Sequence, residues 1–250
     1  MTEAARRRIA YVTGGMGGLG SAICGRLSRA GHIVVAGCRP GSPRKEHWLR
    51  RMADDGVSVV ASEADVCDWE STRRALEGVR REVGPIDILV NNAGITRDAL
   101  FRQMAPEDWR SVLDTNLSSL FNVTRHVLDG MLERGWGRIV NISSVNGQRG
   151  QFGQTNYSSA KAGVHGFTMA LAQEVAARGV TVNTVSPGYL ATDMVKAVRP
   201  DRLQKIVSAI PMRRLGEPTE IASLVCWLAS EESAYATGGD FSMNGGMYMV

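Results

Sequence analysis

The stretch from Ile9 to Gly20 has the sequence IAYVTGGMGGLG, an apolar run that leads directly into a glycine-rich turn. The run predicts a buried strand, and the pattern after the turn predicts a helix. Glycines let backbone N–H groups approach a pyrophosphate without interference from Cβ atoms, and a helix N-terminus adds partial positive charge toward the anion. This order of strand, glycine turn and helix predicts a dinucleotide-binding loop. We expect its cofactor contacts from Gly14, Met16, Gly17, Gly18, Leu19 and Gly20.

Strand-like runs alternate with longer helical patterns over the rest of the chain. The predicted strands lie near residues 9–12, 33–37, 57–61, 86–90, 139–142, 180–185 and 240–243. The predicted helices lie near residues 18–30, 43–54, 69–83, 107–133, 155–178 and 217–230. Because the strand runs are continuously apolar, we expect strands buried on both faces, as in a parallel sheet. The sequence therefore predicts an α/β fold, a single doubly wound parallel β-sheet of Rossmann type with helices on both faces, in one domain over residues 1–250.

The composition is typical of a globular protein. Of 250 residues, 44% are hydrophobic and 22% are charged, which excludes a disordered chain. The 28 scattered Gly and only 4 Cys exclude collagen-like chains and disulfide scaffolds. A net charge of +4 is compatible with an anionic small ligand or with nucleic acid, and does not choose between them.

The cysteine spacing and the lengths of the apolar runs indicate the cellular compartment of the protein. Cys24, Cys38, Cys67 and Cys226 have neither metal-ligand nor C-x-x-C spacing, so we expect no metal site and free buried thiols in a reducing cytosol. The apolar run after Arg6-Arg7-Arg8 is too short for a secretory signal peptide. No run approaches the roughly 18 apolar residues of a membrane span. We therefore expect a cytoplasmic protein without a membrane partner.

The end of the second predicted strand bears on the choice of nicotinamide cofactor. An NAD-binding chain places Asp or Glu about 20 residues beyond the glycines, where the carboxylate bonds the ribose 2′-hydroxyl. Here that place holds Arg39, followed by Arg44 and Lys45, and no acid occurs between Glu3 and Glu46. Guanidinium groups bind a phosphate that a carboxylate would repel. The sequence therefore predicts NADPH rather than NADH, with Arg39 and Arg44 near the 2′-phosphate.

A second cofactor-facing segment follows the fourth predicted strand, where the sequence is Asn91-Asn92-Ala93-Gly94. Small residues at this point let the backbone lie against a ligand at the carboxyl end of the strand. We expect Asn92, Ala93 and Gly94 to contact the cofactor, while Asn91 has a structural role that ties neighbouring strand ends together.

Tyr157 and Lys161 form a candidate catalytic pair on the helix after the fifth strand. They lie four residues apart and therefore share one helix face. A phenol with a pKa near 10 is a poor proton donor at neutral pH, and a nearby ammonium lowers that pKa. Ser144, just after the fifth strand, can hydrogen-bond a carbonyl oxygen and orient it beside the phenol. The three side chains predict protonation of a ketone oxygen during reduction by hydride.

The T-G-x-x-x-G-x-G loop at residues 13–20, with Ser144 and the Tyr157–Lys161 pair, resembles the pattern of the short-chain dehydrogenase/reductase family. The resemblance extends from about Ile9 to Met249. It implies that Asn116 completes a catalytic tetrad by holding a water that links Lys161 to solvent, and that Tyr157 and Lys161 also contact the cofactor. Further implied cofactor contacts are Asp65 and Val66 at the adenine, and Pro187, Gly188, Leu190 and Thr192 at the nicotinamide and pyrophosphate.

Within this family the chain most resembles the acetoacetyl-CoA reductases of bacterial polyhydroxybutyrate synthesis, on segments 11–18, 92–98, 143–148, 150–157 and 186–189. The resemblance implies NADPH-dependent reduction of acetoacetyl-CoA to (R)-3-hydroxybutyryl-CoA by a homotetramer that associates through the long helices near 107–133 and 155–178. The implied contacts with the acyl-CoA substrate are Asp98, Gln151, Phe152, Gln154 and Tyr189. We expect residues 193–214 to form a lid over the substrate.

Three competing functions stay open at this point. A 3-oxoacyl-[acyl-carrier-protein] reductase has the same chemistry, and Arg178 matches one of its docking bases, although Gly135 stands where another base is usual. A non-catalytic NADP-sensing regulatory protein would be expected to lack members of the tetrad. Nucleic-acid binding is suggested by the Arg doublets at 50–51, 73–74, 80–81 and 213–214, but nearby acids indicate solvated helix faces and no recognition motif accompanies them.

Overall fold

A seven-stranded sheet, parallel throughout, forms the centre of the computed structural model, which describes residues 7–192, 195 and 199–249. The strands are β1 (Ile9–Val12), β2 (Ile33–Cys38), β3 (Val59–Glu63), β4 (Ile88–Asn91), β5 (Gly137–Ile142), β6 (Val180–Pro187) and β7 (Asp240–Met243). Their order in the sheet is β3-β2-β1-β4-β5-β6-β7. The order reverses between β1 and β4, and this switch point is where such sheets bind ligands.

Helices cover both faces of the sheet. Those in the described residues are α1 (Gly18–Arg29), α2 (Lys45–Asp54), α3 (Trp69–Glu82), α4 (Pro106–Leu113), α5 (Ser119–Arg134), α6 (Val145–Arg149), α7 (Thr155–Val175), α8 (Pro200–Ala209) and α9 (Pro218–Leu228). A π-helical segment, Asp114–Ser118, joins α4 to α5. The predicted doubly wound α/β fold is confirmed.

Two details of the prediction are wrong. The helix expected near 107–133 is two helices joined by the π segment, because a widened turn has no recognisable sequence signal. Burial on both faces holds for the inner strands but not for β3 and β7, where Val60 and Met243 are exposed. Both strands lie at an edge of the sheet, where fewer neighbours cover them.

Two hydrophobic cores lie on opposite faces of the sheet because successive strand residues point to opposite sides. Val12 belongs to the core under α1, α2 and α9, together with Leu27 and Ile221. Its neighbour Tyr11 belongs to the core under α3, α5 and α7, together with Met131. Burial of both cores supplies the main driving force for the fold.

A chain of buried polar side chains crosses the centre of the sheet. The Asn91 amide on β4 donates to Thr124 Oγ1 on α5 at 3.2 Å and to Asn141 Oδ1 on β5 at 2.8 Å. Asn141 donates in turn to Thr168 Oγ1 on α7 at 2.9 Å, and Thr184 Oγ1 on β6 donates to the same hydroxyl at 2.7 Å. We call this set the buried polar chain. It ties three strands to two helices, which is the structural role expected of Asn91.

Cysteine burial differs from the prediction at one position. Cys24, Cys38 and Cys226 are buried free thiols, whereas Cys67 is free but exposed, because it lies in the open turn between β3 and α3. No group of His, Cys, Asp and Glu suited to a metal occurs among the described residues. Within the same part of the chain, none of the helices has the length and apolar character needed to cross a bilayer.

The predicted lid, residues 193–214, is described only in part, since residues 193, 194 and 196–198 lie outside the described residues. Its described part contains α8, and the chain then returns to the body of the protein. Ile210 is buried, and the Met212 amide donates to the Gly245 carbonyl at 3.1 Å. A closing movement stays a prediction.

Two threonine-to-valine substitutions test the buried polar chain. Thr168→Val should lower the free energy of unfolding by about 1–3 kcal/mol, because the donors on Asn141 and Thr184 then lose their acceptor. Thr181→Val on β6 is the matched control, since its buried hydroxyl has no hydrogen-bond partner among the described residues. Urea unfolding should show Thr181→Val to be as stable as the wild type or more so. Equal losses in both variants would contradict the assignment.

Candidate active site

The glycine loop between β1 and α1 is shaped for a ligand. Gly14 has φ +61°, a left-handed conformation that favours glycine, and a Cβ there would lie 3.0 Å from Ala93 Cα. A Cβ at Gly20 would collide with the Gly14 carbonyl oxygen. Helix α1 begins without a side-chain cap and without an acid in its first turn. Its first amide groups therefore remain available to an anion, as the pyrophosphate of a dinucleotide requires.

Thr13 and Asn92 hold this loop against the end of β4. Thr13 Oγ1 accepts hydrogen bonds from the amides of Asn92 at 2.9 Å and Ala93 at 3.0 Å. The Asn92 side chain donates to the carbonyls of Thr13 at 2.9 Å and Gly14 at 3.1 Å. The Asn92 amide, predicted as a cofactor contact, is therefore engaged in bracing the loop, although the residue also lines the catalytic cleft described below.

A cavity on the β2 side of the loop has the position expected for the adenosine half of a dinucleotide. Its volume is about 220 Å³, and its walls include Gly14, Arg39, Val66, Ala93 and Gly94. Asp65 is not among the lining residues. Its carboxylate accepts the Cys67 amide at 3.0 Å and so shapes the turn after β3.

One of the three basic residues after β2 has an acidic partner. Lys45 Nζ lies 2.7 Å from Glu63 Oε1, which extends from the end of β3, and the Gly41 amide donates to the same carboxylate. The idea of three bases without an acid is therefore wrong for Lys45, because the parallel pairing of β2 with β3 brings Glu63 beside it. Arg39 and Arg44 are exposed, and neither has an acidic partner among the described residues.

A second cavity of about 250 Å³, the catalytic cleft, opens between the carboxyl ends of β4, β5 and β6. The glycine loop contributes Leu19, and the segment after β6 contributes Pro187, Gly188 and Leu190. The remaining walls include Gly94, Ser144, Tyr157 and Lys161. Three of the four predicted catalytic residues, Ser144, Tyr157 and Lys161, therefore line one cleft with most of the residues predicted for the nicotinamide. Asn116 is not among the lining residues. Thr192, which is not among the lining residues, lies against the glycine loop: a Cβ on Gly18 would lie 3.1 Å from the Thr192 methyl group.

Ser144 caps the short helix α6. Its hydroxyl oxygen accepts the Asn146 amide at 3.1 Å, which holds the side chain in place and leaves the hydroxyl hydrogen free to be donated. A hydroxyl fixed at its oxygen and aimed into a cleft can donate to a carbonyl oxygen.

Tyr157 lies in the first turn of α7. That turn is anchored by Asn156, which sequence reasoning missed: its side chain accepts the Tyr157 amide at 2.7 Å and donates to the Arg97 carbonyl at 2.9 Å. Burial raises the pKa of Tyr157, the Ser144 side chain acts in the opposite direction, and the charges of Asp98 and Tyr189 add to the increase. The phenol is therefore protonated at neutral pH. The lowered pKa expected from the Lys161 ammonium is wrong for this structure, because burial of the phenol is the largest effect and raises the pKa.

Lys161 is buried one turn further along α7. Its Nζ donates to the Ile142 carbonyl at 2.8 Å and lies 5.7 Å from the centre of the Tyr157 ring. Burial lowers the pKa of Lys161 from 10.5 to about 8. The ammonium is close enough to the phenol to stabilise negative charge there.

Asn116 lies in the π segment and has no exposed surface. Its Nδ2 donates to the carbonyls of Ile95 and Val112, each at 2.9 Å. Its Oδ1 is buried without a partner among the described residues, and it faces Gly94, as does Lys161 Nζ. A buried acceptor without a donor beside a lysine is the arrangement that a bound water would satisfy.

A family model described as short chain dehydrogenase matches residues 8–203. The chain belongs to the short-chain dehydrogenase family. A relative named acetoacetyl-CoA reductase, from Cupriavidus necator, is 67% identical over 97% of this chain and 99% of its own length. Another of that name, from Allochromatium vinosum, is 55% identical over the same shares. A 3-oxoacyl-[acyl-carrier-protein] reductase from Vibrio cholerae is 45% identical over 97% of this chain and 98% of its own.

In this short-chain dehydrogenase, none of the residues expected to contact a substrate is among the residues that line the catalytic cleft. Gln154 donates to both oxygens of Asp98, at 3.0 and 2.9 Å, and accepts from the Asn146 side-chain amide at 2.9 Å. Its polar atoms are engaged, so Gln154 orients its neighbours rather than offering a free amide. Gln151 Oε1 accepts from Arg149 at 3.4 Å, which leaves its amide hydrogens for a ligand.

Two aromatic residues are among the expected substrate contacts. Phe152 is 86% exposed in the segment that precedes α7. Tyr189 lines a smaller cavity together with Ile210 and Met212. The effect of Asp98 and Tyr189 on the pKa of Tyr157 places both near the phenol.

Replacement of Lys161 should separate stability from activity. The folded protein releases the Lys161 proton near pH 8, whereas the unfolded chain keeps it to about 10.5, so burial of the charged ammonium destabilises the fold at neutral pH. The free energy of unfolding of Lys161→Met should therefore equal that of the wild type or exceed it by up to roughly 3 kcal/mol. This difference should shrink as the pH rises from about 8 towards 10.5. Turnover should fall about 10²–10⁴-fold.

The exposed Lys205 on α8 provides the control. Lys205→Met should change neither the urea midpoint nor turnover. A Lys161→Met protein that is clearly less stable than the wild type at neutral pH would show that the ammonium stabilises the fold.

Proposed function

We propose that the chain reduces acetoacetyl-CoA to (R)-3-hydroxybutyryl-CoA with NADPH as the hydride donor. The observation that carries this proposal is the composition of the catalytic cleft, in which Leu19 of the glycine loop, Gly188 and the Ser144–Tyr157–Lys161 group line one cavity. The names and high identity of the relatives support the substrate assignment.

The residues present fit a nicotinamide dinucleotide. The uncapped N-terminus of α1 suits a pyrophosphate, and the cavities on either side of the loop have room for its two nucleoside halves. When bound, the cofactor would supply a hydride to the substrate. Arg39 lines the cavity on the β2 side of the loop, and both Arg39 and Arg44 are exposed guanidinium groups of the kind that bind a 2′-phosphate, which supports NADPH.

Ser144 and Tyr157 would act on the ketone oxygen of the substrate. Ser144 donates its hydroxyl hydrogen to that oxygen and holds it beside the phenol. Tyr157, whose phenol is protonated at neutral pH, delivers a proton as negative charge develops on the oxygen. The donors are in place before the reaction, so little reorganisation accompanies it.

Lys161 and Asn116 would restore the phenol to its starting state. The Lys161 ammonium stabilises the phenolate that remains after proton transfer. A water bound by Asn116 Oδ1, which has no partner in the part of the chain that the structure describes, would carry a proton from solvent to Lys161. Both side chains face Gly94, where a larger residue would fill the space.

Reduction of a carrier-protein thioester depends on basic residues that are free to dock an acidic partner. Here the Arg178 guanidinium donates to the Leu132 carbonyl at 3.1 Å, and Arg134 pairs with Asp87 at 3.3 Å. Gly135 has φ 62° at the end of α5, a conformation that disfavours a basic side chain. These engaged groups favour the CoA ester over the carrier protein.

A regulatory NADP sensor and a nucleic-acid-binding protein have less support. The four tetrad residues converge, which is not expected of a sensor that has lost its chemistry. Of the Arg doublets, Arg73, Arg81 and Arg214 each pair with a glutamate on or beside their own helix, which is typical of a solvated face rather than a nucleic-acid surface.

We also infer a homotetramer in the cytoplasm. An apolar groove of about 280 Å³ runs between α5 and α7 and is lined by Phe121, Leu128, Phe167 and Leu171. Phe121 is more than half exposed, and exposed apolar helix faces of this kind commonly mark association surfaces. The free thiols of all four cysteines are consistent with a reducing compartment.

The cofactor assignment is tested by Arg39→Ala and Arg44→Ala. Each should raise KM for NADPH about tenfold or more, since each removes a charge-assisted hydrogen bond to phosphate, and should leave KM for NADH nearly unchanged. Arg51→Ala, an exposed arginine in the last turn of α2, is the control and should affect neither cofactor. Equal losses for NADPH and NADH would contradict contact with the 2′-phosphate.

The substrate assignment is tested by steady-state kinetics on matched thioesters. The value of kcat/KM for acetoacetyl-CoA should exceed that for acetoacetyl-carrier protein by about tenfold or more. Tyr157→Phe serves as the inactive control and should lower turnover about 10²–10⁴-fold with either substrate. A preference for the carrier-protein thioester would favour a fatty-acid reductase instead.

A further inference from the structure

A second group of interacting polar side chains adjoins the tetrad, and one of its members, Ser143, also lines the catalytic cleft. Ser143, which precedes the catalytic Ser144, lies 3.0 Å from His165 Nε2, and the other ring nitrogen, Nδ1, lies 3.1 Å from Asp240 Oδ2 on β7. Ser143 Oγ also donates to the Lys161 carbonyl at 2.8 Å. We call Ser143, His165 and Asp240 the rear relay. None of its members belongs to the catalytic tetrad.

Counting hydrogen atoms gives the direction of each bond in the rear relay. Ser143 has one hydroxyl hydrogen, and the Lys161 carbonyl can only accept it. The contact between Ser143 Oγ and His165 Nε2 therefore requires a hydrogen on Nε2. The Asp240 carboxylate requires another on Nδ1. All three bonds exist together only when the imidazole carries hydrogen on both nitrogens and is paired, as a cation, with Asp240.

Asp240 joins the elements that carry the catalytic groups. Besides His165, it accepts Ser186 Oγ at 2.6 Å and Gln148 Nε2 at 2.7 Å. Ser186 precedes the Pro187–Gly188 wall of the cleft, and Gln148 lies on α6, whose cap is Ser144. Partial burial raises the pKa of Asp240, but the hydrogen bonds from His165 and Ser186 outweigh it and the pKa is lowered overall. The carboxylate thus remains charged at the junction of α6, α7 and β6.

The order Ser143–His165–Asp240 resembles a hydrolase triad, but the burial of Ser143 and its hydrogen bond to the Lys161 carbonyl disfavour that chemistry. A nucleophilic serine gives its hydrogen to an imidazole that acts as a base. Here Ser143 gives its hydrogen to a backbone carbonyl and is buried, and a doubly protonated ring has no lone pair with which to act as a base. The relay is therefore suited to holding groups in position.

We propose that His165, held by Asp240, is a positioning residue that fixes Ser143 and the Lys161 turn of α7, and thereby sets the alignment of Ser144, Tyr157 and Lys161. The inference rests on the proposed reductase chemistry. Lys161 and His165 lie four residues apart on α7, so the relay acts on the helix turn that carries the catalytic lysine. Small displacements of catalytic groups cost turnover more than they cost binding.

Two substitutions of His165 test the relay. His165→Phe keeps a planar ring but removes both hydrogen bonds, and should lower kcat about 10–100-fold with KM for acetoacetyl-CoA and Kd for NADPH changed by no more than about threefold. His165→Gln keeps a donor near the place of Nε2 and should recover a substantial part of the lost kcat. A merely structural role would leave kcat of the folded protein unchanged in both variants, which would overturn the proposal.

The control is Thr72→Val on α3, a buried polar substitution that lies outside both the relay and the catalytic cleft. It removes the hydrogen bond from the Thr72 hydroxyl to the Trp69 carbonyl, which is 2.8 Å long. The variant should be less stable than the wild type while kcat of the folded protein stays unchanged. A loss of kcat in this variant equal to that of His165→Phe would also count against the relay.

A nitrogen-15 NMR experiment on the whole protein supplies a readout that does not depend on the substrate. Both ring nitrogens of His165 should have protonated shifts in the wild type, and Asp240→Asn should convert the ring to a neutral tautomer. A neutral His165 in the wild type would overturn the relay. If the wild type fails to oxidise NADPH with acetoacetyl-CoA while the protonated shifts are present, the substrate assignment fails and the proton arrangement of the relay stands.

Discussion

Asn141 has no exposed surface, and its single amide joins β4 to α7 through Asn91 and Thr168. In a low-dielectric interior such bonds are costly to break, because each partner left behind is a buried polar group without a water to satisfy it. The buried polar chain therefore fixes how the central strands and the two long helices sit against one another, which apolar packing alone leaves adjustable by small shifts. The geometry of the active site depends on this constraint.

The buried polar chain lies close in sequence and along the helices to the catalytic residues. Thr168 lies two helical turns beyond Lys161 on α7, so fixing one fixes the height and rotation of the other. Thr124 lies on α5, which begins directly after the π segment that carries Asn116. Asn116 and Lys161, which come from different parts of the chain, are thus placed by the same set of buried hydrogen bonds.

The active site itself contains groups that reduce stability. Helix α1 begins without a cap, Lys161 is a buried ammonium, and Asn116 Oδ1 has no partner among the described residues. Each is unfavourable when considered alone, and each is suited to a ligand or a water that completes it. The hydrophobic cores and the buried polar chain offset these costs elsewhere, which is how a protein of ordinary stability can hold a reactive site.

The strands, the glycine loop and the shared helix face of Tyr157 and Lys161 could be predicted from the amino-acid sequence, because they follow from local periodicity and from the demands of a tight turn. Which distant groups meet depends on tertiary contacts. Glu63 reaches Lys45 through strand pairing, Gln154 is engaged by Asp98 and Asn146, and His165 joins Asp240 across the sheet edge. The π segment at Asn116 is another feature that could not be predicted from the sequence. Such contacts arise between residues far apart in the chain, whose side-chain types are ordinary, so no local pattern distinguishes them before the fold brings them together.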